Sequence, residues 1–170
     1  MKNMAKILKV TVLAVLMTMI AAPQVSLATP PDSATVQFGR EDVGCNKPLG
    51  HPCDHAGHRM VPGTVVIAAG GTVHFDLTAF HRMAIYEPGI GPKDIDVDIT
   101  ADLVSPVAFP NIVIDDDNGR VAVSSPDPGV LFPFTTTFDY TFDVPGRYLI
   151  ICTTRPHFVD DNMYGWVIVK

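Results

Sequence analysis

An all-β domain of Greek-key sandwich type is predicted by three observations. Val, Ile, Thr and Phe recur in short runs in which apolar and polar residues alternate, the period of a half-buried strand. The 15 prolines and 13 glycines fall between those runs and disfavour long helices. Seven or more such runs follow one another closely, as in two packed antiparallel sheets.

The amino-terminal end has a different character. Lys2, Lys6 and Lys9 precede the almost unbroken apolar stretch Val10 to Ala22, and Ser26-Leu27-Ala28 places small residues where a signal peptidase reads. Residues 1–28 are therefore expected to be a secretory signal peptide, and 29–170 a single domain. The apolar stretch falls short of the roughly 20 residues of a permanent membrane span, and no later stretch approaches that length. An exported product is expected, periplasmic or extracellular, with no permanent membrane span. Removing 28 of 170 residues leaves 142, enough to bury about two thirds of the unfolded surface. It also takes three of the 12 basic residues, so nine face 18 acidic ones, a formal charge of −9. Nucleic acid is excluded as a partner, because phosphate binding needs clustered Lys and Arg.

Thr35 to Phe38 reads as the first strand. Gly44 to Pro62 has no apolar periodicity and gathers Cys45, His51, Cys53, His55 and His58 among Gly, Pro and Asp, so it reads as a loop. Thr64 to Ala68 and Thr72 to Leu77 are strands split by Gly70-Gly71, a hairpin or tight-turn signal. In the second, Val73, Phe75 and Leu77 form the core face, and His74 lies on the wet one. Arg82 to Tyr86 is a further strand, ended by Glu87-Pro88-Gly89. A long insertion, about residues 87–133, precedes the last three strands. Within it Ile112 to Asp115 and Arg120 to Val123 flank Asn118-Gly119 and are expected to pair as a hairpin. Phe138 to Phe142 alternates as a strand. Val144-Pro145-Gly146 then turns the chain into Arg147 to Cys152, where Tyr148, Ile150 and Cys152 share a face, and Tyr164 to Lys170 closes the fold.

Chemistry is concentrated between those last two strands. Cys152, His157 and Met163 place a thiol, an imidazole and a thioether on one short loop, a soft donor set that selects copper among common metals. His81, 71 residues before Cys152, opens the strand Arg82 to Tyr86 and is positioned to add a second imidazole at the same end of the sandwich. Each residue also has a plainer reading: Cys152 as a buried small hydrophobe, Met163 as core filler beside Trp166, and His81 as a solvated loop residue.

The run Phe142-Asp-Val-Pro-Gly-Arg-Tyr148 leading into Cys152, then His157 and Met163, with His81 upstream, resembles the blue-copper (type 1) cupredoxin family, whose members include plastocyanin and azurin. The resemblance spans roughly Pro62 to Lys170 apart from the insertion. It implies a β-sandwich with Cys152, His81 and His157 as equatorial ligands and Met163 as a weak axial one. It also implies one copper ion alternating between Cu(I) and Cu(II), and single electrons passed between a redox protein donor and acceptor in transient contact. Such a protein is a carrier and not an enzyme. Two features depart from the family pattern. Five residues separate His157 from Met163, more than in plastocyanin-like members, and Arg82 stands where many members have Asn.

In an oxidising compartment Cys45 and Cys53, seven residues apart, are expected to form a disulfide, leaving Cys152 for metal. His51, His55 and His58 read as solvated residues of that tied loop in preference to a second metal site. Asp115-Asp116-Asp117-Asn118-Gly119 lacks the Gly and Glu spacing of a calcium loop. Hydrolase and nucleotide-binding motifs are absent from the sequence. Pro156 and Phe158 flank His157 and, with Arg155, are expected to form the face where a partner docks. Two rival functions remain at this level: a periplasmic copper storage or delivery protein using the additional histidines, and a metal-free β-sandwich interaction module.

Overall fold

The computed structural model describes residues 28–40, 58–78, 81–103, 109–125 and 136–170. One sheet has the order β2 (Arg59–Val61), β1 (Ser33–Arg40), β4 (Gly71–Leu77), β9 (Thr136–Phe142). The second has the order β3 (Thr64–Ile67), β11 (Tyr164–Val169), β10 (Gly146–Cys152), β5 (Met83–Tyr86), β8 (Arg120–Val123). A separate pair joins β6 (Thr100–Leu103) to β7 (Phe109–Ile114), and a single helical turn, α1 (Arg155–Val159), connects β10 to β11. Strands β1 and β4 run parallel, as do β3 and β11; the other pairs are antiparallel. No helix among the described residues is long and apolar enough to cross a membrane.

The core between the sheets is built from the alternating positions. Val36 and Phe38 of β1, Val73, Phe75 and Leu77 of β4, and Tyr148, Ile150 and Cys152 of β10 meet there with Met163 and Val167. Strands β5 and β10 are buried on both faces, which accounts for the unbroken apolar run Leu149-Ile150-Ile151-Cys152. Their outer face, carrying Ala84, Tyr86, Leu149 and Ile151, packs under Ile95 and Ile114 of the insertion and Phe158 of α1. The insertion thus provides a second, smaller core.

Two sequence expectations change here and a third, the hairpin or tight turn at Gly70-Gly71, is narrowed to the turn. Gly70-Gly71 forms a tight turn, with Gly70 at φ +79° and the Gly71 N–H donating to the Ala68 carbonyl at 3.0 Å, but the strands it joins enter different sheets. Asn118-Gly119 also turns the chain, yet β7 pairs with β6 and β8 with β5. The buried Asp116 carboxylate accepts the N–H groups of Asn118 at 3.0 Å and Asp96 at 2.9 Å, and this bend carries β8 off to the open edge of β5. Part of the span read as an insertion is therefore the edge strand of the main sheet. Finally, Phe158, expected at the surface, is 7% exposed. The single turn of α1 is amphipathic, and its ring faces the second core.

His74, on the wet face, pairs across strands with Asp139 at 2.9 Å. Cys45, His51, Cys53 and His55 lie outside the described residues. The one cysteine among the described residues, Cys152, is free and buried.

Candidate metal centre

The loop from Cys152 to Met163 closes on itself through its backbone. Thr154 precedes α1, whose first turn places Pro156 where no intrahelical N–H is needed. Asn162, at φ +53°, reverses the chain. The Met163 N–H then donates to the His157 carbonyl at 2.9 Å, and the Cys152 N–H donates to the Met163 carbonyl at 3.0 Å. The five residues between His157 and Met163 are thus taken up by one helical turn and a reversal. Met163 is buried, in the core group that holds Cys152.

The second side of the site comes from the segment between β4 and β5. His81 is 1% exposed. Its Nδ1 lies 3.2 Å from the Thr78 carbonyl, an acceptor only, so the ring proton resides on Nδ1 and the buried Nε2 keeps its lone pair. The His81 and His157 ring centroids are 4.8 Å apart, and His157 Nδ1 is 3.6 Å from Cys152 Sγ. Two donors held by one tetrahedral ion, with metal–sulfur near 2.3 Å and metal–nitrogen near 2.0 Å, stand roughly 3.5 Å apart. The cysteine and histidine are at ligand separation.

Electrostatics at the sulfur are finely opposed. Burial pushes the Cys152 thiol up to about 11, against hydrogen bonds from the Thr154 hydroxyl, the Thr154 N–H and the Arg82 N–H, all of which favour thiolate. His157 is held down to about 3, first by burial and then by the neighbouring His58 and His81 rings. Both groups are thereby held neutral, and a cation at the sulfur would favour the thiolate instead.

Arg82 follows His81 and is 1% exposed, so its charge is embedded in the fold. Its Nε donates to the Ser125 carbonyl at 3.0 Å, one terminal nitrogen reaches Thr153 Oγ1 at 3.4 Å, and the other lies 3.7 Å from Asp115. The Arg82 carbonyl accepts the Thr153 N–H at 2.8 Å. The residue ties the loops of His81 and Cys152 together through side chain and backbone.

Sequence reasoning missed one member of the site. His58, read as a solvated loop residue, stacks on His157 with ring centroids 4.1 Å apart and planes 28° from parallel. It meets His81 at 4.8 Å. One ring nitrogen from each of His58, His81 and His157 lies within 4.8 Å of the other two. His58 Nδ1 is buried with no hydrogen-bond partner among the described residues. A buried thiol at ligand distance from an imidazole, two further imidazoles and an orphaned ring nitrogen together fit a soft or borderline transition metal such as copper.

Two sheets in this order, with the cysteine at the end of β10, define the cupredoxin β-sandwich. The chain is similar to reduced auracyanin from the photosynthetic bacterium Roseiflexus castenholzii, with a TM-score of 0.51 and 18% identity, covering 83% of this chain and 98% of that one. It is also similar to rusticyanin from Thiobacillus ferrooxidans, a copper protein, with a TM-score of 0.43 and 19% identity over 82% and 78% of the two chains. Plastocyanin from Dryopteris crassirhizoma gives a TM-score of 0.40 and 22% identity over 81% and 100%. No family model and no curated protein matches the sequence.

Proposed function

We propose that this protein is an exported carrier of single electrons that holds one copper ion through Cys152, His81 and His157, with Met163 as a weak axial donor. The observation that carries this reading is the fully buried Cys152 sulfur, 3.6 Å from His157 Nδ1 and supplied with hydrogen bonds that favour thiolate. Copper, when bound, supplies a one-electron Cu(II)/Cu(I) couple. The chain's own residues fix the donors and keep water out. Cys152 is anchored in a doubly buried strand, His81 is oriented by Thr78, and the Met163 backbone is locked to both Cys152 and His157. A donor set this constrained changes little between oxidation states, which keeps electron transfer fast.

His157, half-buried, is the ligand that leads outward. Pro156 and Val159 are exposed on the same turn, with Arg155 beside them, and this face is where a donor or acceptor would dock briefly. Residues 1–28 serve as the signal peptide in this reading, and Cys45 pairs with Cys53 after export. His58 lies with His81 and His157 and not apart from them, which favours one copper per chain over a multi-copper store.

Adding one equivalent of Cu(II) to purified protein should give an intense visible thiolate-to-copper band, and Cys152→Ser should abolish it while leaving the fold intact. A colourless wild-type protein under oxidising, copper-replete conditions rejects the proposal.

A further inference from the structure

We infer that His58 is a third imidazole ligand of the same ion, bound in the Cu(II) state, an inference that rests on the copper reading above. The first support is convergence. Nitrogens of His58, His81 and His157 already lie within 4.8 Å of one another. Donors about 2.0–2.1 Å from one ion in tetrahedral or trigonal array stand roughly 3.3–3.6 Å apart, so closing the cluster needs a shift of about an ångström at the ends of the side chains. The second is the orphaned His58 Nδ1. A buried ring nitrogen with no hydrogen-bond partner among the described residues is unfavourable, and a metal held by it removes that penalty.

The third support is that the fold fixes His58 through pairing unrelated to the ligand loop. His58 immediately precedes β2, where Met60 pairs with Phe38 and Arg59 with Arg40. The ladder is irregular between Phe38 and Arg40, leaving Gly39 unpaired, and Gly39 is the residue against which the His81 ring rests. One break in β1 therefore seats both histidines. A ring there only as a cover would need no such register.

An added imidazole acts differently on the two oxidation states. Cu(I) is satisfied by few, soft donors, whereas imidazole, and any donor added to the set, stabilises the more highly charged Cu(II). His58 therefore favours the oxidised form and lowers the reduction potential. His58→Phe keeps a ring to stack on His157 but removes both nitrogens, which separates ligation from covering.

Pulsed EPR of the full-length exported protein loaded with one equivalent of Cu(II) counts coupled imidazoles. Three are expected in the wild type and two in His58→Phe. In that variant Cu(II) affinity should fall about tenfold more than Cu(I) affinity, a rise in potential of about 59 mV. Two imidazoles in the wild type, with the thiolate band present, overturn the role of His58 and leave the proposed function standing. Three imidazoles without a thiolate band overturn the proposed function and keep His58 as a ligand. Absence of bound copper overturns both. If His58→Phe fails to fold, the wild-type count alone decides.

Discussion

Gly39 and His81 are packed so closely that a β-carbon on Gly39 would stand 2.6 Å from His81 Cε1, and nearer still to His81 Nδ1 and Thr78 Oγ1. Gly39 is buried, at φ +93°, a conformation that side chains rarely adopt. Its carbonyl accepts the Thr78 hydroxyl at 2.8 Å, and Thr78 in turn orients the His81 ring. The position of a proposed metal ligand is thus set by a glycine in the first strand, more than forty residues away. Gly39→Ala should cost about 1–3 kcal/mol through backbone strain. It should also displace His81, so copper binding weakens and the visible band shifts. Urea unfolding of the copper-free protein and copper titration measure the two effects separately. An unchanged spectrum would show that His81 is held by other contacts.

Arg82 lends itself to a test in which stability and spectrum part company. Its guanidinium satisfies the Ser125 carbonyl and Thr153 Oγ1 inside the fold, whereas the donor to the Cys152 sulfur is its backbone N–H. Asp115 keeps a second partner, Arg120, at 2.9 Å. Arg82→Met should therefore destabilise the protein by about 1–3 kcal/mol, the cost of leaving buried acceptors unpaired. The thiolate band should stay where it is, since the sulfur keeps its hydrogen bond. A large spectral shift with stability intact would mean that the charge acts on the metal directly.

How much of this was legible beforehand varies with the range of the interaction. The sandwich and the inward face of β10 follow from alternation at Tyr148, Ile150 and Cys152, a local signal. The grouping of Cys152, His157 and Met163 is also local, and the loop does bring all three residues into one backbone-locked unit. His58 carries no such signal. It sits in a segment without periodicity, and its place is fixed by the pairing of a three-residue strand with β1, more than twenty residues upstream. The one available hint is the apolar pair Met60-Val61, separated from it by Arg59. The Asn118-Gly119 turn was read correctly as a turn but assigned the wrong strands. The deciding contact, Asp116 with Asp96, spans 20 residues. Phe158 is expected at the surface because it and Pro156 flank His157 in a loop, but the segment forms a helical turn, on which positions two apart face different ways.

Met163 offers a graded test of the axial role. Leu has nearly the same volume, so Met163→Leu should cost less than about 1.5 kcal/mol despite burial in the core. Loss of the thioether donor removes electron density that favours Cu(II), and the potential should rise while copper stays bound. Potentiometric titration of both proteins measures this. An unchanged potential assigns Met163 to packing alone.

In the proposed carrier, the route of electrons to the surface turns on which side of α1 meets solvent. Phe158 is 7% exposed and packs with Ile114 and Ile151, whereas Val159 is 44% exposed one residue later. The proposed docking contact therefore falls to Val159 and Pro156, which stand on the outer side of the turn that carries His157. Phe158→Ala should destabilise the protein by about 3–5 kcal/mol, as for other buried aromatic rings, and disturb the copper spectrum because His157 shares its helical turn. Val159→Asp should do neither: stability should stay within about 0.5 kcal/mol and the spectrum should be unchanged. What it should alter is close approach, since a carboxylate at an apolar contact must be desolvated each time two proteins meet. Electron self-exchange, followed by NMR line broadening in mixtures of oxidised and reduced protein, should slow several-fold in Val159→Asp at fixed ionic strength. An exchange rate equal to that of the wild type would place the point of electron entry elsewhere, with the acidic span Asp94 to Asp98 the next surface to alter.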